Sequence, residues 1–169
     1  YSNVTKNQIG GVSKSQKWGS YNASPGNLDD PRFTFGPGLF YSRSRGLSHY
    51  LEWHSSSSNN FPYYDMDGRE SDVTMFMPTT DGKLNPTLRF AFAVEGLSTF
   101  RKLMVLEEAI AKQAVPSGPG LLAAKFMQSV KAGSWSSLDN ILRPNSSFVF
   151  KEFVSQLDGH LENLHSIWH

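Results

Sequence analysis

The residues best suited to chemistry lie between Trp53 and Asp72, where aromatic and acidic side chains surround a run of serines. The face of the Trp53 indole can stack on the apolar face of a pyranose ring. The hydroxyls of Tyr63 and Tyr64 can hydrogen-bond sugar oxygens, and Asp65 can accept a hydrogen bond from a sugar hydroxyl. Each has an ordinary alternative: Trp53 as a core or interdomain aromatic, the tyrosines as loop anchors, and Asp65 as part of a solvated turn.

A calcium site is the other chemistry that this segment invites, because Asp65, Asp67, Glu70 and Asp72 are closely spaced and Ca²⁺ prefers clustered carboxylates. The spacing departs from the EF-hand loop, since Gly68 directly follows Asp67 and no third ligand precedes it. The chain has no Cys, which excludes disulfides, thiol nucleophiles and thiolate metal sites. Neither a nucleophile elbow nor a phosphate-binding glycine loop occurs. We therefore predict no metal and no cofactor.

The overall charge argues against two classes of partner. The 169 residues contain 16 Lys and Arg against 15 Asp and Glu, which gives a formal net charge of +1. A balance so close to zero provides no field that would attract a phosphate backbone or an anionic lipid surface. No stretch of about 18 consecutive apolar residues is present. We therefore expect neither a nucleic acid nor a membrane as a partner.

Apolar spacing and turn signals predict the elements that flank the aromatic segment. The first 32 residues are typical of loops with one short strand. The following pattern predicts a helix over 33–46 that stops at Gly46, a strand over 48–54, a long polar loop over 55–72 and a second strand over 73–77. Pro78 and an Asp81-Gly82 turn close that second strand. Trp53 is therefore expected at the carboxyl end of a strand, and the tyrosines in the loop that follows it.

The remainder of the chain is predicted to be helical. Asn85 is a suitable N-cap and Pro86 suits the first helical position, so a long helix is expected from there to Gln113. Gly96 interrupts this helix and indicates close packing. The expected apolar face comprises Leu88, Phe92, Leu97, Phe100, Leu103, Met104 and Ile110. Further helices are expected over 121–132 and 148–168.

The two strands predicted over 48–54 and 73–77 are too few for an independently stable sheet, which normally needs three or more strands or a covering layer. The order helix, strand, long loop and capped helix is nevertheless typical of the last turns of an α/β barrel or wound sheet. We therefore expect these residues to be the closing part of a larger fold.

Several stretches of the chain, taken in order, resemble the C-terminal end of the catalytic domain of glycoside hydrolase family 123. The similarity covers about Asn22 to Leu106. It is carried by Phe33-Thr-Phe-Gly36, Gly46-Leu-Ser-His-Tyr-Leu-Glu-Trp53, Pro62-Tyr-Tyr-Asp65, Asp72-Val-Thr-Met-Phe-Met-Pro78, Asp81-Gly82, Pro86-Thr-Leu-Arg89 and Glu95-Gly-Leu97. The chain departs from the family pattern at Met77, where a tyrosine is usual, and at Ser98 to Phe100, where an acidic residue and a tyrosine are usual.

The resemblance implies an α/β fold in which residues 1–113 form the C-terminal part of a (β/α)8 TIM-like barrel. The helical pattern that follows predicts that residues 114–169 are a helical C-terminal extension. The resemblance also implies hydrolysis of terminal β-linked N-acetylgalactosamine, in which the acetamido oxygen of the sugar attacks the anomeric carbon. In that family an adjacent Asp and Glu pair orients the acetamido group and protonates the leaving oxygen. The adjacent acidic residues in this chain are Asp29-Asp30 and Glu107-Glu108, and neither is an Asp-Glu pair at a strand end. We therefore expect the catalytic pair to lie upstream of this chain.

The sequence thus favours a carbohydrate-active protein whose sugar contacts are Trp53, Tyr63, Tyr64 and Asp65. Its expected partners are the carbohydrate substrate and the upstream part of the same barrel, or a partner chain that supplies it. A secreted, periplasmic or cell-surface location is expected. The alternatives are a noncatalytic carbohydrate-binding or protein-assembly module, and a structural helical module that docks on a partner through exposed apolar surface.

Overall fold

The computed structural model of this chain describes residues 18–21, 30–51, 75–113, 118–133 and 146–165. Within these ranges the chain is mostly helical and contains four short strands. The strands form two separate pairs, β1 with β2 and β3 with β4, and no closed barrel is present in the described part. No helix there has the length and apolar content needed to cross a membrane.

The N-terminal elements form a β-α-β unit. Strand β1 (Trp18–Tyr21) pairs in parallel with β2 (Leu47–Leu51), and Tyr21 is in register with Leu51. The helical connection comprises α1 (Pro31–Phe33), a π-helical segment (Thr34–Gly38) and α2 (Leu39–Ser44). This arrangement confirms the short N-terminal strand, the helix over most of 33–46, and the strand at 48–51. Residues 52–54 of the predicted strand and the loop 55–72 lie outside the described residues.

Local chemistry explains where the helical connection begins, bends and ends. Asp30 is the N-cap, because its side chain accepts a hydrogen bond from the backbone N–H of Arg32, and Pro31 occupies the first turn. The connection bends at Gly36, whose φ of −100° and ψ of −106° are not helical. It ends at Gly46, where a φ of +88° favours glycine. The predicted stop at Gly46 is therefore confirmed.

The long helix begins later than predicted. Strand β3 (Phe76–Pro78) pairs with β4 (Leu84–Pro86) in an antiparallel hairpin across the predicted Asp81-Gly82 turn. Asn85 and Pro86 thus belong to a strand, and Thr87 caps α3 (Leu88–Ala111) by accepting a hydrogen bond from the backbone N–H of Phe90 at 3.3 Å. The hydroxyl of Thr87 also donates to the carbonyl of Met75 at 3.1 Å, which ties the cap to the hairpin.

Helices from both halves of the chain share one hydrophobic core. Helix α4 (Gly118–Ala132) and α5 (Ser146–His165) confirm the two predicted C-terminal helices and begin slightly earlier than expected. Their apolar side chains pack with those of α2 and α3. The buried members of this cluster are Phe40, Leu103, Leu106, Ala123, Met127, Val130, Phe153, Leu157 and Leu164. The division into residues 1–113 and 114–169 stays a prediction about the organisation of the chain.

The predicted apolar face of α3 is partly wrong. Leu103 is buried as expected, but Leu88 and Leu97 are 69% and 40% exposed. The N-terminal half of the helix buries small side chains instead, because the backbone of α1 and the π-helical segment packs directly against it. The buried residues of α3 are Ala93, Gly96, Thr99, Leu103 and Leu106.

Gly96 is the point of closest approach between α3 and the helical connection. A Cβ atom at Gly96 would lie 2.7 Å from the carbonyl oxygen of Arg32 and 3.0 Å from that of Pro31. On the other side of this contact, a Cβ at Gly36 would lie 3.2 Å from the carbonyl oxygen of Gly96. The close packing predicted at Gly96 is therefore confirmed, and its neighbours are backbone atoms that cannot rotate away.

Substitution of Gly96 tests this contact. We expect Gly96→Ala to reduce the free energy of unfolding by roughly 1–3 kcal/mol, because the added methyl group must displace backbone. Gly159→Ala in α5 is the matched control, since a Cβ there meets no atom within 4 Å. The control should stabilise the protein by about 0.5–1 kcal/mol through helix propensity alone. Chemical denaturation of the two variants measures both values, and equal stabilisation by both would contradict the close packing.

Candidate functional site

The four predicted sugar contacts fall in one segment between two strands. Trp53, Tyr63, Tyr64 and Asp65 lie outside the described residues, as does the acidic run that ends at Asp72. The structure does describe the strands on either side, β2 before this segment and β3 after it. The described framework of the site is therefore β2, which precedes this segment, and β3, which follows it.

The parallel register of β1 and β2 gives this framework a direction. Tyr21 and Leu51 are paired, and they are the last residues of their strands. The carboxyl ends of both strands consequently lie at one edge of the sheet, and both residues 22–29 and residues 52–74 continue from that edge. In α/β proteins this is the edge at which substrates bind. Trp53 follows two residues after Leu51.

A buried ion pair that was not predicted from the sequence joins Asp30 and Arg32, which follow residues 22–29. The Nε of Arg32 donates to both carboxylate oxygens of Asp30, at 2.9 and 3.0 Å, and its terminal Nη2 also contacts this carboxylate. Both side chains are buried. The Asp-Pro dipeptide could have identified Asp30 as a helix N-cap. The burial of Arg32 could not be read from it, because its neighbours come from distant parts of the sequence.

Those neighbours are two aromatic rings. The guanidinium carbon of Arg32 lies 4.2 Å from the ring centroid of Phe92 on α3 and 5.2 Å from that of Phe150 on α5. The hydrogen bond to Asp30 raises the pKa of Arg32, burial opposes this rise, and the negative charges of Asp30 and Glu95 reinforce it. Arg32 is therefore held in its charged form beside the Asp30 carboxylate. Its chemical role is to anchor three elements, and Asp30 is fully occupied by it.

The second acidic pair of the sequence is also occupied. Glu107 forms ion pairs with Arg43 and Lys131, each at 2.6 Å, and Glu108 pairs with Lys112 at 2.7 Å. Burial raises the pKa of Glu107, but the hydrogen bonds from Lys131 and Arg43 outweigh it and the pKa lies below its usual value. Both carboxylates are thus held ionised by cations on α3, α2 and α4, an arrangement unsuited to a general acid.

Arg89 lies in the first turn of α3. Its Nε is buried and has no hydrogen-bond partner, and no ion pair joins Arg89 to another residue in the part of the chain that the structure describes. Glu95, further along α3, acts electrostatically on Arg32. The first turn of α3 therefore presents a guanidinium that is not neutralised by described side chains.

No metal centre emerges from the described histidines and carboxylates. Among these residues, no group of three or more side chains of the metal-ligating types converges. His160 packs against the ring of Phe126 with the centroids 5.0 Å apart, and burial lowers its pKa. This histidine is therefore part of the interface between α4 and α5. His54 and His169 lie outside the described residues.

Comparison with protein-family models, with curated proteins and with solved structures finds no match to this chain. The functional argument consequently rests on the residues and on the geometry of the framework.

The buried ion pair leads to a stability prediction. Arg32→Met leaves the carboxylate of Asp30 buried without its cation, and we expect the free energy of unfolding to fall by about 3–5 kcal/mol. Lys102→Met breaks the half-exposed pair between Lys102 and Asp158, which lie 2.7 Å apart, and serves as the control. That variant should change stability by less than about 1 kcal/mol.

Equilibrium urea denaturation of the three proteins makes the comparison. Losses of similar size in Arg32→Met and Lys102→Met would contradict the role given to the buried pair. The double variant Asp30→Asn/Arg32→Met should recover part of the loss, because no unpaired charge remains in the interior.

Proposed function

We propose that this chain is the C-terminal part of a carbohydrate-active protein, a glycoside hydrolase that acts on terminal β-linked N-acetylhexosamine. The observation that carries the proposal is the parallel β-α-β unit, with Trp53 immediately beyond the carboxyl end of β2. A tryptophan that follows two residues after such a strand, in a segment that also contains Tyr63 and Tyr64, is suited to one wall of a sugar pocket. The sequence resemblance to glycoside hydrolase family 123 supports the same function.

The parallel pair also supports a larger sheet. Parallel strands are covered on both faces in α/β proteins, and two strands alone do not form an independently stable sheet. Further strands beside β1 and β2 would satisfy both requirements. In this proposal they come from an upstream part of the same (β/α)8 barrel, or from a partner chain that supplies it. The protein would work outside the cytoplasm, as a secreted, periplasmic or cell-surface protein.

The proposed reaction is a substrate-assisted hydrolysis that retains the anomeric configuration. The acetamido oxygen of the sugar attacks the anomeric carbon, the glycosidic bond breaks, and an upstream carboxylic acid gives its proton to the leaving oxygen. Water then opens the cyclic intermediate. The chemistry requires no cofactor, because the nucleophile belongs to the substrate. The role of this chain is to orient the sugar ring by stacking on Trp53 and by hydrogen bonds to Tyr63, Tyr64 and Asp65.

The state of the acidic residues supports an upstream position for the catalytic pair. Asp30 and Glu107 are both committed to ion pairs with buried or half-buried cations. The lowered pKa of Glu107 is the opposite of what a general acid requires. In this proposal Arg89 receives a carboxylate from another part of the fold, since its buried Nε has no acceptor among the described residues.

The second candidate is a noncatalytic carbohydrate-binding or protein-assembly module. It is favoured by the large hydrophobic side chains exposed on β4, on α3 and in the first turns of α4. In this case the segment after Trp53 binds sugar or a partner protein, and no hydrolysis follows.

Activity assays with an aryl β-N-acetylgalactosaminide separate the two candidates. We expect turnover from a protein that extends upstream to include an Asp-Glu strand end, and none from residues 1–169 alone. In the extended protein, Trp53→Ala should lower kcat/KM by about 10- to 100-fold, which corresponds to the loss of one aromatic stacking surface of roughly 1.4–3 kcal/mol. The control Tyr41→Ala removes a half-buried ring of α2 that contacts Arg45.

Robust turnover by residues 1–169 alone would contradict the upstream position of the catalytic pair. Sugar binding by residues 1–169 that is lost in Trp53→Ala, with no turnover from the extended protein, would favour the binding module instead.

A further inference from the structure

We draw no further inference here: the strongest candidate, the surface patch of exposed hydrophobic side chains along α3 that includes Leu88, Val94, Leu97 and Val105, carries none, because nothing in the described part of the structure shows what covers it.

Discussion

The close contact between Gly96 and the backbone of Pro31 and Arg32 is the constraint on which the rest of the structure depends. It brings the β-α-β connection against α3 without intervening side chains, which is possible only where α3 has no Cβ atom. At this contact the guanidinium of Arg32 is held by Asp30 and lies between Phe92 and Phe150. One arginine thereby joins the N-terminal unit, the long helix and the C-terminal helix.

This anchor also holds the start of the helical connection between β1 and β2. Asp30 follows residues 22–29, which continue from the carboxyl end of β1. Strand β2 ends in register with β1, just before the segment that contains Trp53. The anchor therefore fixes the point at which the helical connection begins. The same anchor engages the carboxylate of Asp30, and the proposed function therefore assigns proton transfer to carboxylates elsewhere in the proposed barrel.

The sequence predicted the elements well where the signal was local. Gly46, the Asp81-Gly82 turn and the apolar spacing of the C-terminal helices were sufficient, because each is decided by neighbouring residues. The start of α3 was misplaced because Pro86 suits both a strand end and a first helical turn. Its buried face was misjudged because Ala93, Gly96 and Thr99 contribute little hydrophobic signal. The burial of Arg32 depends on rings far away in sequence, and the predicted sugar contacts lie outside the described residues.

In the proposed function, β1 and β2 belong to a larger parallel sheet. Hydrogen exchange of the amides of Leu47 to Leu51 tests it most directly, when residues 1–169 are compared with the upstream-extended protein. Strands that gain neighbours acquire additional hydrogen bonds and cover, so their amides should exchange at least about tenfold more slowly in the extended protein. Equal and strong protection of β2 in both proteins would contradict the claim, since the pair would then be stable without further strands.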